Sequence, residues 1–152
     1  MIGVVTFTGI EQELKDFLVV AGYQNVETAH YGNIRSINTM EKVDVLILFG
    51  TVRPNPDDLL LKTKAMFFDE SEIDPEYDKH AVDSVSTKWG YTVRLESGRY
   101  TEDDRIQAMH RQASTWEMYQ AFHRARPLLR TPKSPLKVFV YSALPIPGGK
   151  QR

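Results

Sequence analysis

The chain has 152 residues, 41% hydrophobic and 26% charged, with a formal net charge of −1; that is the length and composition of one ordinary globular domain with a sound core. Near-neutral charge excludes a broadly basic nucleic-acid binder, so any such surface must be a local patch. The absence of cysteine excludes disulfides and thiolate metal sites and fits a reducing cytoplasm.

Ile2 to Phe7 is apolar and β-branched and reads as a first strand. Thr8 to Glu11 has the spacing of a capping box. The helix it would start carries Ile10, Leu14, Phe17, Leu18 and Ala21 on one face, with Gly22 as its stop. Val26 to Tyr31 suits a short second strand. Arg35 to Glu41 reads as a loop or one helical turn. Val43 to Phe49 is an unbroken apolar run apart from Asp44, as expected of a strand buried on both faces of a parallel sheet. Pro54 and Pro56 interrupt the chain before a helix from about Asp57 to Met66.

Asp69 to Lys79 is acidic and interrupted by Pro75, which predicts a loop. Val82 to Tyr100 alternates around Gly90 like a β-hairpin. Thr101, followed by Glu102, Asp103 and Asp104, predicts an N-cap with acids in the first turn. Ile106, Met109 and Ala113 mark that helix's inner face. A further helix from Trp116 ends before Pro127, Arg130 to Ser134 reads as a linker-like loop, and Val138 to Ser142 as the last strand. The fold class expected is α/β: a mostly parallel sheet with helices on both faces and a β-hairpin excursion. Residues 1–144 form the domain and 145–152 a flexible tail. No apolar run approaches a membrane span, and the first residues lack a signal-peptide pattern.

Chemistry-bearing residues concentrate in the helix before Pro127. Gln120, His123, Arg124 and Arg126 crowd its end. Guanidinium groups carry fixed charge and donate in planar pairs, so they suit phosphates; the same residues also suit a solvated basic helix end, favoured there by the helix dipole. Other constellations carry less. Asp69, Glu70 and Glu72 follow Met66, Phe67 and Phe68 like a magnesium-holding box, but the chain has no phosphate loop; Gly148, Gly149 and Lys150 lack its first glycine and its hydroxyl. The histidines His30, His80, His110 and His123 share no metal-ligand spacing, so no metal site is expected. Trp89, Tyr91 and Tyr100 lie among Lys88, Arg94 and Arg99, which could stack bases, although packing of those aromatics on the sheet explains them as well.

The segment Gln120 to Pro127 resembles motif VI of superfamily 2 helicases, a Gln-x-x-Gly-Arg-x-x-Arg element whose arginines contact ATP phosphates. His123 stands at the usual glycine, and the second arginine comes one position early. The segment from residue 30 to residue 56 resembles motif V of the same family: Arg35, Ser36, Ile37 and Asn38 supply the turn, with Ser36 at the usual glycine, and a buried strand ending in a small residue is expected to follow. Ile2 to Phe7 sits where the motif IV strand would be. The whole resembles the C-terminal RecA-like domain of a helicase. The resemblance implies that Arg124 and Arg126 serve catalysis, and that Gln120 and His123 lie at the nucleotide. It further implies that Arg35, Asn38 and Gly32 couple that cleft to DNA or RNA. ATP and magnesium would bind only with a partner, the N-terminal RecA-like domain that carries the Walker A loop. Without that loop the isolated chain should not hydrolyse ATP. Two alternatives stay open: a non-catalytic α/β binding or scaffold module, and a small phosphate-substrate enzyme, which is disfavoured because no glycine-rich loop follows the first strand.

Overall fold

The protein is represented by a computed structural model, which describes residues 1–34, 38–69, 72–73, 82–86, 92–96 and 101–142, with 82–86 and 92–96 described through their backbone. In chain order the elements are β1 (Ile2–Thr6), α1 (Glu11–Val20), β2 (Val26–His30), β3 (Val45–Phe49), α2 (Pro56–Met66), β4 (Val82–Ser86), β5 (Thr92–Glu96), α3 (Asp104–Ala113), α4 (Thr115–Arg124) and β6 (Lys137–Tyr141). A 3-10 turn at Thr39–Lys42 precedes β3, and another at Pro127–Leu129 follows α4. The described residues divide into two compact units, Met1–Thr51 with Glu117–Ser142, and those within Val52–Trp116.

The first unit is built on a four-stranded sheet in the order β2-β1-β3-β6, and every pair in it is parallel. The expected α/β class with a parallel sheet is therefore what the chain forms. Apolar, β-branched strands separated by crossovers give this arrangement because parallel neighbours cannot be joined by tight turns. Register assigns the faces. Thr6 is level with His30, and His30 meets Glu11 of α1 at 3.0 Å, so Ile2, Val4 and Thr6 look toward α1. Gly3 looks the other way. A side chain on Gly3 would run into the Met40 sulfur at 2.7 Å and Val43 at 2.9 Å, so the 3-10 turn covers the opposite face closely. Val5, Met40, Val43, Leu46 and Leu48 are fully buried there.

Several details of this unit differ from the sequence reading. β3 is sealed on one face only: Leu46 and Leu48 are buried, while Val45 and Ile47 are half-buried and Phe49 is exposed. On the α1 side the helix packs against β1 and β2, and Phe139 and Tyr141 of β6 are exposed. α1 buries none of its residues, and Phe17 is exposed. Its N-cap is Ile10, without a side-chain bond; Glu11, expected to close a capping box with Thr8, bonds to His30 instead. Arg130 to Ser134 is anchored at its start, as described below.

The second unit pairs α2 and α3 around Leu59, Ile73 and Ile106, with Leu60, Phe67 and Met109 packed against them. α2 starts as its sequence dictates. The Asn55 side chain accepts the Asp57 N–H at 2.9 Å, and Pro56 takes the first helical position, where no donor is needed. β4 and β5 pair antiparallel, Val82 opposite Glu96, in the span read as a hairpin. α3 is capped by Asp103, which accepts the Arg105 N–H at 2.9 Å, and not by Thr101. The Thr101 hydroxyl instead accepts the Asp103 N–H at 3.2 Å, holding the cap residue from behind. The Arg105 guanidinium grips the same carboxylate at 2.7 Å and holds it well below the usual carboxylate range, at about 2. Residues 143–152, including the expected tail, lie outside the described residues, as do Trp89, Tyr91 and Tyr100 and the side chain of Arg94.

Candidate functional site

α4 lies along the connection from β2 to β3 and is tied to it at both ends. At its start, the buried Glu117 carboxylate accepts the Gly32 N–H at 2.8 Å. Gly32 has φ +91, a left-handed conformation that favours glycine. The resulting turn directs its N–H away from the sheet ladder, just beyond the carboxyl end of β2.

At the other end, the helix closes on His123, whose carbonyl accepts the Arg126 N–H at 3.0 Å. Arg126 has φ 51 and ψ 53, the conformation that normally selects glycine after a helix. An arginine there carries a backbone cost of about 1 kcal/mol. Its guanidinium Nη2 is hydrogen-bonded to Glu41 Oε1, in the 3-10 turn before β3. The pair is partly exposed, with side-chain accessibilities of 51% for Arg126 and 33% for Glu41. The carboxylate faces the same solvent that a phosphate would come from.

Arg130 makes the firmest part of this junction. Its Nη2 donates to the Glu41 carbonyl at 2.7 Å, the Val43 carbonyl at 2.8 Å and the Ala125 carbonyl at 3.1 Å. Its Nε donates to the Ala125 carbonyl at 3.2 Å. One planar group thus joins the end of α4 to the segment entering β3. The sequence gives little warning of this. Arg130 is followed by Thr131, Pro132, Lys133, Ser134 and Pro135, a loop-like composition, and side-chain bonds to distant carbonyls leave no local periodicity.

The structure places the expected residues unequally. Arg126 and the turn entered by Asn38 come together through Glu41, 85 positions away in sequence. Asn38 itself is exposed, and its carbonyl accepts the Glu41 N–H at 3.2 Å. Arg124 is half-buried and engaged in an interaction of its own, and Arg126 is partly exposed and paired with Glu41. Gln120 is exposed. His123 packs edge-on against Tyr119 with ring centroids 4.4 Å apart and against Phe122 at 5.3 Å. An imidazole at the usual glycine position is therefore accommodated by aromatic neighbours on its own helix. Gly32 lies at the Glu117 end of α4, roughly 14 Å along the helix axis from Arg126. It does not join the arginines. Arg35 lies outside the described residues, and so does Glu70 of the magnesium-box lookalike. Among the described residues no group of acids and histidines is arranged to hold a metal ion, and no helix is long and apolar enough to cross a membrane.

Chemically, this corner offers a partly exposed planar cation, Arg126, beside the half-buried Arg130, which is held by backbone carbonyls. Among the described residues it offers no group of acids and histidines that could hold a metal ion. Comparison with protein-family models, with curated proteins and with solved structures finds no match for this chain.

Proposed function

We propose that this chain is the second RecA-like domain of a superfamily 2 nucleic-acid helicase, supplying arginines to ATP bound on a separate Walker A domain. The observation that carries the reading is the junction of the two motif-like segments. The segment resembling motif V and the one resembling motif VI lie far apart in sequence, and the Arg126 and Arg130 side chains fasten one to the other. A nucleotide-sensing helix joined to the segment that would contact nucleic acid is the minimum needed to couple the two.

In this reading the partner domain holds the phosphates and magnesium, which supply charge neutralisation at the transferring group. Arg126 approaches the phosphates from across the cleft. Arg124 supports it from the last turn of α4, and Gln120 orients that helix or touches the nucleotide. Asn38, with Arg35 beside it in sequence, faces the nucleic acid. Arginine serves better than lysine here, because its fork donates two parallel bonds to phosphate oxygens.

The test is reconstitution. A Walker A polypeptide encoded beside this chain, or in frame before it, should hydrolyse ATP faster with the chain present, and the chain alone should hydrolyse none. Phosphate release by the purified chain alone, abolished by Arg124→Ala, would sink the proposal.

A second reading is favoured by the ion pair itself. If Arg126 serves only to hold Glu41, the chain is a non-catalytic α/β binding or scaffold module, and no change at Arg126 will have a nucleotide-linked effect.

A further inference from the structure

We infer that Glu41 is a competing carboxylate: it occupies Arg126 when no nucleotide is present and gives the guanidinium up to a polyphosphate. The inference rests on the nucleotide reading above and adds its regulation. Three observations carry it. Glu41 holds Arg126 through a terminal nitrogen, Nη2, and about half of the Arg126 side chain is exposed. Both partners are substantially exposed, so an incoming anion can displace the carboxylate without opening the core. The backbone carbonyl of Glu41 is independently held by Arg130, so the turn stays in place when the Glu41 side chain lets go.

The exchange conserves charge pairing. Arg126 trades a carboxylate for a phosphate, and Glu41 passes into water, where an exposed carboxylate loses little. The freed carboxylate then lies beside the bound polyphosphate. Like charges there turn the freed Glu41 side chain away from the nucleotide, while its backbone stays held by Arg130. Nucleotide capture at α4 thereby frees the Glu41 carboxylate of the 3-10 turn that precedes β3. Glu41 is thus a positioning residue, acting through Arg126 and touching no reacting atom.

The test uses the full chain and inorganic tripolyphosphate at low salt, with affinity measured by titration calorimetry in every variant and the Arg126 side-chain Nε–H resonance followed wherever Arg126 is present. Glu41→Gln should tighten binding by about two- to five-fold, the worth of an exposed ion pair. Glu13→Gln, an equal change of net charge on an exposed position of α1, should leave affinity unchanged. In an Arg126→Ala background the gain from Glu41→Gln should vanish. Equal affinity in wild type and Glu41→Gln, with binding still lost in Arg126→Ala, overturns the competition and leaves the nucleotide reading standing. A gain that persists without Arg126 also overturns it, as a bulk charge effect. Binding indifferent to Arg124→Ala and Arg126→Ala in every background overturns the competition and the nucleotide site together. Thermal melts of each variant establish that all are folded, and Glu41→Ala provides a second removal of the carboxylate.

Discussion

Arg130→Ala should destabilise the first unit far more than its position in a proline-rich loop suggests. The wild-type guanidinium satisfies carbonyls of Glu41, Val43 and Ala125 at 2.7 to 3.2 Å. Hydrogen bonds from a charged donor contribute roughly 1.5–3 kcal/mol each, and a buried acceptor left unpaired costs about 1–3 kcal/mol. These contributions are not additive, since one group makes them all. Val43 is fully buried, so water reaches its carbonyl poorly; Arg130 is half-buried, so part of the loss is recovered by solvent. The net expected cost is about 3 kcal/mol. For a chain of this size that lowers the melting temperature by roughly 6–12 °C. Urea denaturation followed by circular dichroism measures it, and Arg130→Lys should recover less than half, because one ammonium cannot span the three carbonyls. A loss below about 1 kcal/mol in Arg130→Ala would refute the reasoning. It would mean that packing of α4, through buried Met118 and Ala121, holds the junction without the arginine.

Two further predictions concern single positions. Arg126→Ala should cost under about 1 kcal/mol, because the ion pair it removes is exposed, whereas Arg126→Gly should be more stable than Arg126→Ala by about 1 kcal/mol, since only glycine relaxes the left-handed backbone; equal melting temperatures would show that this conformation is not held in solution. His110 is buried in α3, and burial, with Arg111 beside it, pushes its imidazole below the usual range. Its contribution is therefore present above the unfolded value near 6.5 and lost as pH falls through and below it. Melts between pH 7.5 and 5 should show a decline in stability that His110→Gln flattens, and an unchanged slope in that variant would remove His110 as the cause.

The parallel sheet was legible because its strands are apolar, β-branched and separated by crossovers, a pattern local enough to read. Pro54 and Pro56 marked the start of α2 to within one residue, since the helix begins at Pro56 and was expected from about Asp57. The cap of α3 was misread by two positions because Thr101, Asp103 and Asp104 are all competent caps, and the Arg105 guanidinium on Asp103 settles the choice through a contact that spacing alone does not weigh. Of the candidate site, the residue types were visible and their partners were not. Nothing near Arg126 in sequence points to Glu41, and nothing near Gly32 points to Glu117. Both pairings exist only once α4 lies along the β2–β3 connection. Arg130 was hidden most completely, since its bonds go to backbone carbonyls whose owners' side chains are irrelevant.

The central claim is that this chain lends arginines to a nucleotide held elsewhere. It is tested most directly by ATP turnover of the neighbouring Walker A polypeptide, assembled with wild-type chain or with Arg126→Ala. The account predicts a loss in kcat on the order of 10³-fold or more, with the variant chain folded, still associated and nearly as stable as wild type. Turnover that is stimulated equally by both chains, or by neither, would contradict it.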